Sequence, residues 1–172
     1  MLKLRSVFLS FVLVALMAAV IAPSWARPRQ DPTTFTITGD IPAPLTLGIP
    51  DLDKLPQQTT PIQEEDGTTT QYTGVLLRLV MEKAGAPTGK ALRGKALASY
   101  LVASARDGYQ VVFTLGELDP AFGNEQVLLV YKREGKPLFG YQGPFRIVCP
   151  ADKAGARSLR MLSSIQFVKL RK

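Results

Sequence analysis

The chain has 172 residues, 21 Lys and Arg against 14 Asp and Glu, and a formal net charge of +7. It contains no histidine, which removes Ser-His and Cys-His nucleophile pairs, histidine-ligated zinc and imidazole acid–base chemistry. Cys149 is the only cysteine, so no internal disulfide can form.

Residues 1–26 read as an export signal. Lys3 and Arg5 make a basic start, Val7 to Ala22 is an apolar run broken only by Ser10, and Ser24-Trp25-Ala26 supplies the small residues of a cleavage site. The run falls short of the roughly 20 apolar residues that span a bilayer. No cysteine stands directly after the cut, which argues against a lipoprotein, and no twin-Arg pair precedes the run, so the expected route exports the chain unfolded to the periplasm. Cleavage lowers the basic count from 21 to 19 against 14 acids, a net charge of +5. That modest excess on an exported domain suits anionic small molecules, envelope polyanions or lipid headgroups, while nucleic acid is a poor candidate in that compartment.

Residues 27–33 form a Pro-rich lead-in, and residues 34–172 are long enough for a single core. Phe35 to Thr38 alternates as a strand, Leu45 to Leu47 is a short extended piece, and Pro50-Asp51 opens a brief helical turn stopped by Pro56. The Thr-rich stretch that follows turns at Asp66-Gly67, with Glu64, Glu65 and Asp66 read as a solvated tip. Val75 to Ala84 has helical spacing and ends at Gly85 and Pro87.

Residues 90–106 are ambiguous. Their Ala and Leu favour helix, but Asp107-Gly108 is a hairpin turn, and if Tyr109 to Leu115 pairs backward across it then Ala98 to Ala105 is strand. A turn at Leu118-Asp119-Pro120 leads to strands at Val127 to Lys132, Ile147-Val148 and Ile165 to Leu170. The pattern predicts a strand-rich α+β domain without alternating βαβ units.

Gly85 to Leu92, "GAPTGKAL", lacks the spacing and the Ser or Thr of a phosphate loop. Cys149 follows an apolar run and reads as a buried thiol. Asp107, Glu117 and Asp119 flank one strand as a turn residue and two surface acids. The stretch "GPFRIVCPADKAGARSLRM" gathers Arg146, Lys153, Arg157 and Arg160. Arg157, Ser158 and Arg160 come just after a Gly155-Ala156 turn, so guanidinium forks, a hydroxyl and free amides could together cradle an anion.

Three stretches, "YTGVLLRLVMEKAG", "DGYQVVFTLGELD" and "EGKPLFGYQGPFRIVCPADKAGARSLRMLSSIQFV", stand in the order found in the molybdopterin-binding domain of the sulfite oxidase family, which the chain resembles over roughly residues 35–170. The resemblance implies a single strand-rich α+β domain of sulfite-oxidase molybdopterin-binding type with one or two short helices. It also implies that Arg146, Arg157, Ser158 and Arg160 grip a pterin. The chain departs from the enzymes in two places. Leu55 to Gly74 holds no cysteine to bind molybdenum, and Gln142 stands where a His or Asn usually precedes the Gly-Pro strand.

What remains resembles the short, exported, cysteine-lacking members of the fold. These look like pterin-binding proteins that work with membrane receptors carrying cyclic-di-GMP enzyme domains. The implied cofactor is a pterin or molybdopterin without molybdenum, the alternative being a molybdopterin-dependent oxidoreductase. A free pterin wants a carboxylate against its N–H edge and aromatic rings against its faces. Asp107, Glu117 or Asp119 could supply the first, and Tyr109, Tyr141 or Phe145 the second, with Gln142 close by.

Overall fold

The computed structural model describes residues 33–64 and 66–170; the expected signal peptide, most of the lead-in, Glu65 and the last two residues lie outside the described residues. Strand β1 (Thr34–Gly39) buries Phe35 and Ile37 completely and turns its threonines the other way, the period of two expected of a strand with one covered face. It pairs antiparallel with β2 (Leu45–Gly48) and parallel with the final strand β10 (Leu162–Lys169), with Ile37 opposite Ile165. On its other edge β10 carries β5 (Ser99–Ala105), which folds back on β6 (Gln110–Thr114), giving the sheet order β2-β1-β10-β5-β6.

The ambiguous stretch is thereby resolved. Its first half forms two 3-10 turns, Gly89–Ala91 and Gly94–Ala98, and its second half is the strand β5 that the Asp107-Gly108 turn demands.

A second sheet runs β3 (Gln57–Gln63), β4 (Thr69–Leu76), β7 (Leu128–Arg133) and β8 (Lys136–Pro137), with β9 (Arg146–Val148) also paired to β7. β7 is buried on both faces. Leu129 and Tyr131 join the main core with Phe35, Leu101, Phe113 and Phe167, while Leu128 and Val130 join a smaller cluster with Tyr72, Leu138 and Val148. A central strand covered on both sides reads as a continuous apolar run, which "VLLVY" is. Phe145, just before β9, meets Phe35 edge to face at 5.0 Å and locks the two sheets together.

Among the described residues, three short α-helices cap the strands. In α1 (Ile49–Leu52) the Asp51 carboxylate accepts from the Gly48 amide at 3.1 Å. α2 (Leu77–Lys83) begins two residues later than its apolar spacing predicts, because Val75 and Leu76 remain in β4 opposite Leu129 and Leu128. Gly74 makes that pairing possible, since a Cβ there would sit 2.2 Å from the Leu129 carbonyl oxygen. α3 (Leu115–Leu118) adds to the one or two helices expected; it is too short to show periodicity but carries a capping box between Thr114 and Glu117.

Candidate functional site

A cleft of about 850 Å³ lies where the tip of the β3–β4 hairpin, the β5–β6 turn, the 3-10 turn Gly140–Gln142 and the loop from Cys149 to Arg160 converge. Loops supply most of the lining, and strand ends supply the rest: Pro61, Ile62 and Gln63 from β3, Ala105 from β5 and Arg146 from β9.

Arg146 is only 4 % exposed, so its charge needs partners. Its Nη1 donates to the Tyr72 hydroxyl at 2.6 Å and to Gln142 Oε1 at 3.1 Å, and lies 3.4 Å from Glu64 Oε1. The Tyr72 hydroxyl in turn donates to Glu64 Oε1 at 2.5 Å, and the Tyr72 ring lies 4.9 Å beneath the guanidinium. Burial, reinforced by the Glu64 bond, raises the Tyr72 pKa, so its hydroxyl stays protonated. Arg146 Nε is buried with no hydrogen-bond partner among the described residues.

Glu64 is therefore not part of a solvated tip. Its side chain is 16 % exposed and supplies the counter-charge to Arg146 from 82 positions away in sequence. Of its tip neighbours, Asp66 accepts from the Thr68 amide and hydroxyl, while Glu65 lies outside the described residues.

Among the expected binding residues, Arg146, Ser158, Arg160, Asp107 and Tyr109 line the cleft together. Ser158 Oγ accepts from the Cys149 amide at 3.2 Å, which aligns the loop on both sides of it. Arg160 stacks over the Tyr141 ring at 5.1 Å and makes no ion pair among the described residues. Lys153, likewise without an ion pair there, is the second free cation of the cleft. Asp107 accepts from the Tyr109 amide at 3.0 Å, and the Tyr109 hydroxyl donates to the Ala156 carbonyl at 2.6 Å, joining two walls.

Arg157 and Glu117 are set apart from this group. The Arg157 Nε and Nη2 donate to the two Asp152 oxygens at 2.8 Å each, Nη2 also donates to Glu125 at 2.9 Å, and Nη1 lies 3.5 Å from Glu117. Three carboxylates thus neutralise the cation expected to grip a ligand, and Arg157 acts to hold the Cys149–Arg160 loop against α3. Arg157 keeps the Asp152 carboxyl below its usual value, while burial raises that of Glu117.

Gln142 serves Arg146 from behind the wall. Asp119 lies elsewhere, 5 % exposed, its oxygens taken by the Gly89 and Ala121 amides beside a separate hollow of about 330 Å³. Phe145 is fully buried and cannot stack on a ligand, which leaves Tyr109 and Tyr141 as the aromatic walls. The Cys149 thiol is buried as expected, and burial pushes its pKa up to about 12.

Sequence reasoning passed over Glu64, Tyr72 and Lys153 as site residues. The available signal was Arg146 itself, because an arginine inside an apolar strand must find a carboxylate.

No curated protein matches the chain. Among solved structures, the sulfane dehydrogenase SoxCD from Paracoccus pantotrophus superposes with a TM-score of 0.61 at 19 % identity, covering 82 % of this chain and 39 % of that one. The chain thus spans well under half of SoxCD and shares its fold. The model of the oxidoreductase molybdopterin binding domain matches residues 24–172, and with the same architecture recovered independently, the chain belongs to that family.

Proposed function

We propose that the cleft binds a small pterin and that the protein is a periplasmic ligand sensor or carrier whose occupancy is read by a membrane signalling partner. The observation that carries this reading is Arg146. Its guanidinium lines the cleft and its Nη2 makes no hydrogen bond among the described residues, so a ring carbonyl entering the cleft would find a charged donor there. Lys153, Arg160 and Ser158 surround the same space, and Tyr109 and Tyr141 offer faces for a flat heteroaromatic ring. Family membership supports a pterin in particular.

The pterin portion of molybdopterin fits this donor set, with Arg146, Ser158, Arg160 and Lys153 placed to hold it. When bound, its metal would supply two-electron redox chemistry. Cys149, the one cysteine of the chain, is not placed to serve such a metal: its thiol stays protonated with Sγ 3.7 Å from the Arg157 carbonyl. The second reading, a molybdopterin-dependent oxidoreductase, is favoured by the family match alone.

Purification from the native envelope, with molybdenum assay and fluorescence of bound pterin, separates the two. Pterin without metal supports the sensor or carrier, metal with pterin supports the oxidoreductase, and absence of both removes the ligand reading.

A further inference from the structure

The floor of the cleft has one donor side and one acceptor side. Arg146 spends Nη1 on Tyr72, Gln142 and Glu64, while its Nη2 makes no hydrogen bond among the described residues. Glu64 spends Oε1 on Tyr72 and Arg146, while its Oε2 accepts none there. Both residues line the cleft, and their committed atoms lie 3.4 Å apart. A ligand reaching the floor therefore meets an N–H donor beside a carboxylate acceptor. An anionic group would face the Glu64 charge, so the complementary edge is neutral and carries a carbonyl next to N–H donors.

The other carboxylates near the cleft are committed differently. Asp152 is held by Arg157, and Asp107 closes its own turn on the Tyr109 amide at the β5–β6 wall.

We propose that Glu64 and Arg146 read the 2-amino-4-oxopyrimidine edge of the ligand, Arg146 donating to the ring carbonyl and Glu64 accepting from the adjacent ring N–H and amino group. Glu64 is then the specificity-determining residue of the cleft. The assignment rests on the pterin reading above and deepens it. A 2,4-dioxo ring, with an oxygen in place of the amino group, sets that oxygen against the Glu64 carboxylate and is rejected. A site built around a hydrogen bond discriminates strongly against the analogue lacking it, because its own buried group is left unpaired.

The test is calorimetric titration of the purified protein with pterin, the 2-amino-4-oxopteridine, and with lumazine, its 2,4-dioxo counterpart. The expected result is at least tenfold tighter binding of pterin, and loss of that preference in Glu64→Gln, whose amide can donate to the second carbonyl. Equal affinity for the two rings, or a preference that survives Glu64→Gln, overturns the role of Glu64 while leaving a pterin in the cleft. Binding of neither ring overturns the pterin reading and this assignment with it. If Glu64→Gln fails to fold, Glu64→Asp replaces it; withdrawing the carboxylate by one methylene should weaken pterin at least tenfold and leave lumazine unchanged, and any other pattern counts against the assignment.

Discussion

Arg157 and Asp152 meet through two parallel N–H···O bonds of 2.8 Å, and this pair closes the loop that forms one wall of the cleft. The bidentate geometry is the strong form of the interaction, and Glu117 from α3 and Glu125 from the segment after it add to it. Arg157→Ala removes the cation and leaves three carboxylates together. The expected loss is about 2–3 kcal/mol in urea unfolding, with the larger part of any effect on ligand affinity following from loop disorder. An unchanged unfolding midpoint would contradict this.

The same cluster sets an acid response with two opposed parts. Asp152 has its pKa lowered below 3.8 in the folded protein, so its contribution is present above the unfolded value and lost as pH falls through the folded one. Glu117 is raised above 4.5 by burial, so the folded state takes up its proton first, and stability rises as pH falls from the folded pKa towards 4.5. Melting between pH 7 and 2 should therefore show a small gain for Glu117 before the loss from Asp152. Glu117→Gln should abolish the gain and keep the loss.

Arg160 is the counterpart of Arg157: a cation in the cleft with no carboxylate bound to it among the described residues. Arg160→Ala should weaken pterin binding about tenfold, roughly 1.4 kcal/mol, while moving stability by less than about 0.5 kcal/mol. Titration and melting on the same sample check both halves. A large drop in melting temperature would assign Arg160 a structural role.

Cys149 should be inert. With its thiol pushed up to about 12 and 7 % exposed, alkylation by iodoacetamide at pH 8 should run at least tenfold slower in the folded protein than in urea. Rapid labelling of the folded protein would show that the loop over it opens.

Phe145 tests the junction of the sheets. Phe145→Ala deletes the ring against Phe35 and should cost about 3–5 kcal/mol, measured as a lowered urea midpoint. A cost under about 1 kcal/mol would mean that the core collapses into the space.

Much of the fold was written locally. Asp66-Gly67 and Asp107-Gly108 mark their hairpins, the alternation in Phe35 to Thr38 marks β1, and the unbroken "VLLVY" marks the strand covered on both faces. The start of α2 was not legible, because Val75 and Leu76 suit a helix by spacing and are claimed by β7 only through tertiary pairing. The site divides in the same way. The cations of residues 146–160 are visible as a group, but which of them faces the ligand depends on carboxylates at positions 64, 117 and 125, brought in by distant elements. Sequence proximity ranked Arg157 and Arg160 alike. Long-range ion pairing separates them.

The parallel pairing of β1 with β10 has a mechanical consequence. The first and last described strands lie side by side and run the same way, with Thr36 opposite Ser164 and Gly39 opposite Phe167. Tension applied through the two ends therefore pulls the strands past one another along their length. The ladder bonds share that load and must yield together, whereas an antiparallel terminal pair would peel open one bond at a time. A domain tethered at one end and gripped at the other would thus resist being pulled apart well beyond what its equilibrium stability suggests, because forced unfolding is governed by the rate of that shearing step.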